Sequence, residues 1–266
     1  MPERGPILPD NETYDVSRIQ SLLEQLDKDH KKSELLDKGG KNRAKDIFTS
    51  GDLGKEIKKE DKVLYVGTGL GHVADHMQDK TGCKMVRIDL ADLRHPNAKK
   101  EGDNFILANA RNLPLADNSM DTICLMDVLH HLENQDEILI EAKRVLKPSG
   151  KIVLLEDTLP EKIYPHKRAL VEKLTAKMDD SFNQQGKGVN PHNYRSVSEW
   201  EIFFQEQGFD LKIEDTKSWH WGVADFLPEV IKPDREDKGS LLRPFESTRF
   251  VIRKPREELE GESLEE

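Results

Sequence analysis

At 266 residues the chain has room for one α/β domain with added elements and is short for two full domains. Its 41 basic and 51 acidic residues give a net charge of −10, which argues against broad electrostatic binding to nucleic acid. No stretch approaches the roughly 18 apolar residues that span a bilayer and no apolar leader is present, so a cytoplasmic protein is expected.

Residues 1–16, rich in Pro, Glu and Asn, are expected to form a loose arm. Ser17–Leu36 sets Ile19, Leu22, Leu23 and Leu26 at helical spacing among charges, which predicts an amphipathic helix. Lys41–Phe48 reads as a second helix leading to the first strand. From there strand and helix patterns alternate, as in a parallel sheet covered on both faces. Strands are predicted at Lys62–Val66, Lys84–Asp89, Asn104–Ala108, Thr122–Met126 and Lys151–Glu156. A helix is predicted over His72–Lys80, before Gly82. Another follows Asn134 as N-cap, with Asp136 and Glu137 complementing its dipole and Ile138, Ala142, Val145 and Leu146 as its buried stripe; Pro148 and Gly150 stop it.

Beyond the fifth strand, Lys167–Met178 reads as a helix and the Gly- and Asn-rich Asn183–Tyr194 as a substrate lid. Ser196 and Glu199 have capping-box spacing ahead of Trp200, Phe203 and Phe204, and Gly208 closes that helix. Leu211–Glu214 and Ser247–Arg253 read as two late strands. Six glutamates between Glu257 and Glu266 mark a solvated tail. Cys83 and Cys124 each adjoin an apolar run and are expected to be buried free thiols. No Cys/His cluster has zinc-ligand spacing, so no metal site is expected.

The most specific signal is Lys62-Val63-Leu64-Tyr65-Val66-Gly67-Thr68-Gly69-Leu70-Gly71-His72, an apolar strand breaking into three glycines spaced G-x-G-x-G. Glycines there admit positive φ and let the main chain approach a ligand, and the helix that follows turns free N–H groups toward it. A dinucleotide fingerprint needs its third glycine where His72 stands. Asp89 ends the second strand 22 residues after Gly67, near the spacing of a ribose-binding carboxylate. Two further segments have character: Leu107-Ala108-Asn109-Ala110-Arg111-Asn112-Leu113-Pro114-Leu115, and Asp117–Leu132 with its Asp127-Val128-Leu129-His130-His131 turn, followed by Arg144-Val145-Leu146-Lys147-Pro148-Ser149-Gly150-Lys151.

Taken together, these motifs resemble the class I S-adenosylmethionine-dependent methyltransferases, in particular the quinone-biosynthesis type that acts on small molecules, continuously from about Lys62 to Glu156. The resemblance implies a Rossmann-like α/β fold with a seven-stranded, mostly parallel sheet in the order 3-2-1-4-5-7-6. It also implies a helical cap and arm over 1–50, a methyltransferase domain over 51–256 with its cofactor core at 62–156 and lid at 158–208, and the acidic tail at 257–266. S-adenosylmethionine would be held by Tyr65, Gly67, Thr68, Gly69, Gly71, Asp89, Leu90, Asn109, Ala110, Met126 and Asp127. Within that set Asp89 would take the ribose hydroxyls and Asn109 and Ala110 the adenine. Tyr65 departs from the family, which commonly places an acidic residue there; a hydroxyl hydrogen-bonds but brings no negative charge.

The implied reaction is an in-line methyl transfer to an O, N, S or C nucleophile, for which the protein supplies alignment and desolvation. Ligands bind beyond the carboxyl ends of the strands in open α/β sheets, which puts Asp127, His130, His131, Glu156 and Asp157 on the reacting side. His131 or His130 is a candidate base, since imidazole titrates near pH 6.5, and Glu156 is a third candidate. His192, Asn193, Tyr194 and Arg195 are lid candidates, and His220 between Trp219 and Trp221 is a candidate pocket residue. A small-molecule acceptor, in a monomer or homodimer, is the leading reading. Action on tRNA or protein, or a silent cofactor-binding module prompted by Tyr65, are the alternatives.

Overall fold

The computed structural model describes residues 30–50, 53–99, 102–132, 134–159, 161, 168–169, 172–173, 193–213 and 246–255. The arm at 1–16, most of 158–192 within the lid at 158–208, including most of the predicted Lys167–Met178 helix and His192, the Trp219–Trp221 segment and the acidic tail lie outside them.

Among the described residues eight strands make one sheet: β1 Lys62–Val66, β2 Lys84–Asp89, β3 Phe105–Leu107, β4 Met120–Met126, β5 Leu146–Leu159, β6 Arg195–Ser196, β7 Asp210–Ile213 and β8 Glu246–Arg253. The order is β3-β2-β1-β4-β5-β8-β7, with the short β6 pairing with β5. Strands β1 to β5 are parallel neighbours, whereas β8 runs antiparallel to both β5 and β7. The expected seven-strand order is therefore present, with β6 as an addition.

Burial explains why the central strands read as apolar runs. Val63 to Val66 are all buried because both sheet faces are covered. Leu64 and Val66 enter one core with Ile123, Leu125, Leu154, Trp200, Phe204 and Phe250. Val63 and Tyr65 point into the other, with Met77, Cys124, Met126 and Ile47. Cys83 and Cys124 are free and buried.

Four helices are described: α1 His30–Ser50, α2 His72–Thr81, α3 Gln135–Val145 and α4 Val197–Glu206. The capping box of α4 is present, with the Ser196 side chain accepting from Glu199 N–H and the Glu199 carboxylate accepting from Ser196 N–H at 2.8 Å.

Several expectations are corrected. The two N-terminal helices are one over the described stretch, since α1 runs through Gly39-Gly40; tertiary packing overrides the roughly 1 kcal/mol that each glycine costs a helix. Asn134 occupies the N-cap of α3 but its side chain makes no capping hydrogen bond. Helix α3 stops at Val145 and β5 begins at once, because Leu146 pairs with Met120 and a register shift before Thr122 takes up Pro148–Gly150.

Candidate functional site

The loop after β1 is tied to β2 by its own main chain. Gly67 N–H and Thr68 N–H both donate to the Ile88 carbonyl, at 3.0 and 3.2 Å. Gly67 has φ 71, and a Cβ there would lie 2.6 Å from Val128. Gly69 has φ 50, and a Cβ there would meet nothing within 4 Å, so bare backbone faces open space. Thr68 is turned inward: its hydroxyl donates to the Ile88 carbonyl at 3.0 Å.

Asp89 joins this loop across the strand ends. One carboxylate oxygen accepts from Gly69 N–H at 2.8 Å and the other from Leu90 N–H at 2.7 Å. Burial pushes its carboxyl above the ordinary value, against the lowering effect of these N–H groups. An ionised carboxylate offers about four lone-pair sites, so acceptor capacity remains for hydroxyl groups of a ligand. The loop's open face and this remaining capacity fit the ribose of the implied cofactor.

At the end of β3, Ala108 N–H donates to the Asp89 carbonyl at 3.0 Å, which brings Asn109 and Ala110 beside the Asp89 turn. The Asn109 side-chain oxygen accepts from Arg111 N–H at 3.0 Å. It makes an Asx turn, so the oxygen expected to face adenine is already partly engaged. The following segment is held from α3: Arg144 donates to the carbonyls of Leu113 and Leu115 and to Asp117, and Glu141 accepts from Leu113 N–H at 2.8 Å.

Strand β4 ends at buried Met126, and Asp127 then adopts φ 54, a left-handed conformation uncommon for a non-glycine residue. Arg43 of α1 donates to the Asp127 carboxylate. Burial opposes the guanidinium charge, yet Asp127 and Asp157 hold Arg43 above its ordinary value. Tyr65 is 2 % exposed. Burial, then Cys124, raise its hydroxyl pKa, Arg43 lowers it, and Asp127 and Asp89 raise it further. The Tyr65 hydroxyl thus sits in the field of an Arg43–Asp127 pair. Arg43 is the residue that sequence reasoning missed, since nothing in the local pattern of α1 links it to a turn 84 positions away.

The candidate bases differ in access. Glu156 is 0 % exposed and His130 1 %. One Glu156 oxygen accepts from Val128 and Leu129 N–H at 3.2 and 2.9 Å, and the other meets His130 Nδ1 at 2.7 Å. Glu156 therefore caps the 129–131 turn and orients an imidazole; it is enclosed, not presented to an acceptor. The His130 ring stacks on Tyr194 at 5.0 Å and lies 4.1 Å from that of His131, which is half-buried. Asn193 N–H donates to the His130 carbonyl at 2.7 Å. A cleft of about 370 Å³, lined by Arg168, Asn193, Tyr194, Arg195, Glu199 and Phe203 among others, adjoins this turn.

A family model described as a methyltransferase domain matches residues 64–154. The chain is 27 % identical over 192 residues to the uncharacterized methyltransferase YcgJ of Bacillus subtilis, spanning 67 % of this chain and 70 % of that one. The crystal structure of YcgJ superposes with a TM-score of 0.57 at 19 % identity, covering 77 % of this chain and 98 % of YcgJ. With the ubiquinone/menaquinone biosynthesis C-methyltransferase UbiE of Laribacter hongkongensis, identity is 26 % over 199 residues, 68 % of this chain and 80 % of UbiE. The phosphoethanolamine N-methyltransferase 2 of Haemonchus contortus, solved with S-adenosylmethionine, shares the fold at a TM-score of 0.52 and 18 % identity over 75 % of this chain and 50 % of that one.

Proposed function

We propose that the chain is a class I S-adenosylmethionine-dependent methyltransferase that transfers a methyl group to a small-molecule nucleophile, a reading supported by the methyltransferase-domain match over residues 64–154 and the likeness to YcgJ. The observation that carries this reading is the Gly69 N–H to Asp89 carboxylate bond at 2.8 Å, at a glycine where an added Cβ would meet nothing within 4 Å. It joins a backbone cradle to a carboxylate with spare acceptor capacity.

In this reading Gly67–Gly71 receive the cofactor on main-chain groups, Asp89 accepts from its ribose hydroxyls, and Ala110 N–H with the Asn109 amide meets the adenine. Tyr65, Met126, Asp127 and Arg43 bound the methionine end. The bound cofactor supplies a methyl group already activated on a sulfonium. What remains for the chain is to orient the acceptor and exclude water. His131, the more open of the paired imidazoles, is placed to take a proton from a hydroxyl or amine, and the Glu156–His130 pair holds the turn that carries it. The core at 62–156 binds the cofactor, and the segment after β5 borders the acceptor.

The small-molecule assignment draws on the net charge of −10 and on relatives such as UbiE. No helix among the described residues is long and apolar enough to cross a membrane. Titration calorimetry with S-adenosylmethionine is expected to give saturable binding; no heat up to about millimolar ligand, the weak end of specific affinity, would overturn the reading. Methyl-labelled cofactor incubated with a metabolite extract should yield labelled low-mass product. Label confined to RNA or protein would overturn the choice of acceptor.

A further inference from the structure

Asp37, His72 and His95 come from three separate segments and meet where α1 crosses the start of α2. Asp37 lies on α1, His72 is the first residue of α2, and His95 caps the short turn Pro96–Ala98. Asp37 Oδ1 is 3.3 Å from His72 Nε2 and 3.5 Å from His95 Nδ1, and one ligand atom from each of the three residues lies within 4.8 Å of the others. We propose that these side chains form a binding site for a divalent transition metal, with Zn²⁺ as the reference ion.

The donor set and spacing match such an ion. Bonds of about 2.0–2.1 Å in a tetrahedral zinc site put neighbouring donor atoms about 3.4 Å apart. Both contacts of Asp37 Oδ1 have about that separation, and the two imidazole nitrogens lie within 4.8 Å of each other. Two imidazoles and a carboxylate suit zinc or ferrous iron and leave a coordination position open.

The surroundings orient these donors inward. Asp37 Oδ2 accepts from Lys41 Nζ at 2.7 Å and Asn97 Nδ2 at 3.1 Å, which aims Oδ1 at the rings. His95 Nε2 pairs with Ser33 Oγ at 2.9 Å. With Nε2–H donating to that hydroxyl, the lone pair of His95 lies on Nδ1, the atom facing Asp37. Nδ1 also receives Asn97 N–H at a long 3.2 Å, a bond that the ion would replace. His72, with a 4 % exposed side chain, leaves its Nε2 without a hydrogen-bond partner, as is Asp37 Oδ1. A buried donor atom without a partner is costly unless something occupies it.

The chain also gives up helix propensity to seat this ring. A Cβ on Gly40 would fall 1.9 Å from His72 Cδ2, so only glycine lets α1 lie against the imidazole. A metal here would clamp α1, the helix that carries Arg43, to the helix that opens at Gly71. Local spacing could not reveal the site, because no two of its ligands share an element.

The test uses the full-length chain stripped with a chelator. Co²⁺ should bind at one equivalent with visible ligand-field absorption and be displaced by Zn²⁺, and Zn²⁺ should raise the Tm. Asp37→Asn, His72→Gln and Gly40→Ala should each abolish the Zn²⁺-dependent Tm rise, whereas His76→Gln, altering another α2 imidazole, should keep it. Ser33→Ala should weaken Zn²⁺ about 10- to 100-fold, the usual cost of losing a group that orients a ligand. Asp37→Asn guards against simple misfolding, since asparagine keeps the shape of the side chain and removes only its charge. Absence of both Co²⁺ absorption and a Zn²⁺ shift in the unaltered chain would overturn the site. So would a shift of equal size in Asp37→Asn and His72→Gln. Neither readout depends on methyl transfer.

Discussion

The two ends of the sheet's carboxyl edge are built by different means. At β1 and β2 the candidate site is main chain: Gly67, Thr68 and Gly69 N–H groups bond to a carbonyl or carboxylate of β2, and Leu90 N–H bonds to the Asp89 carboxylate beside it. At β4 and β5 it is side chain: Glu156 holds the 128–130 backbone and the His130 ring, and Arg43 reaches Asp127 from another helix. A backbone cradle depends on where glycines fall. A side-chain network depends on pairs distant in sequence, and it fails as a unit when one member is removed.

The largest effect expected from that contrast is at Glu156. Glu156→Ala would remove the acceptor of the Val128 and Leu129 N–H groups and the partner of His130 Nδ1. Leaving a buried hydrogen-bonding group without its partner costs about 1–3 kcal/mol, so the loss should reach a few kcal/mol. Urea denaturation should show a loss of that order, and a loss under ~1 kcal/mol, the range of exposed pairs, would mean that the turn is held by other contacts.

Asp89→Ala tests the other end. Its oxygens meet two local N–H groups near the surface of the loop, so folding should suffer less than cofactor binding. Loss of a charged hydrogen-bond partner weakens binding by roughly 1–3 kcal/mol, about 5- to 150-fold in Kd. Calorimetry with S-adenosylhomocysteine measures it. Unchanged affinity would show that the strand-end carboxylate does not meet the ligand.

This contrast also explains what was legible in the sequence. The β1 loop and Asp89 were readable because a strand, glycines and a strand-end acid are local patterns at fixed spacing. The Ser196–Glu199 capping box was readable for the same reason. Glu156 was singled out by its place at a strand's carboxyl end, but its enclosure was not, since that follows from the 128–130 backbone folding over it. Arg43 and the Asp37–His72–His95 cluster were invisible: each depends on how α1 docks. That one helix runs through Gly39-Gly40, where two were expected, was not legible either, because the close approach to His72 is absent from local propensity. The length of β5 was misjudged because pairing of Leu146 with Met120, not the Pro148–Gly150 signal, sets where that strand begins.

A smaller effect is expected at Ser196, on the acceptor side but with a purely local role. Ser196→Ala removes the acceptor for Glu199 N–H and half of the capping box. Loss of an N-cap side chain costs about 1 kcal/mol. A denaturation midpoint unchanged within error would mean that the Arg195–Ser196 strand pairing, and not the cap, holds the start of α4.

The smallest effect is the pH dependence of the Arg168–Glu199 pair beside the cleft. Arg168 Nη1 and Nη2 donate to the two Glu199 oxygens at 2.6 and 3.0 Å, and these bonds hold the Glu199 carboxyl below its ordinary value. A depressed carboxylate pKa gives stability that is fully present above the unfolded value, about 4.3, and is lost as pH falls through the folded one. Both side chains are about a third or more exposed, so solvent screening keeps the contribution under ~1 kcal/mol. The stability gap between the unaltered chain and Glu199→Gln, measured in urea, should be constant from about pH 7 to pH 5 and narrow below the carboxylate range. A gap that does not change with pH would show that Glu199 acts through its capping bond to Ser196 N–H alone, which a glutamine also makes.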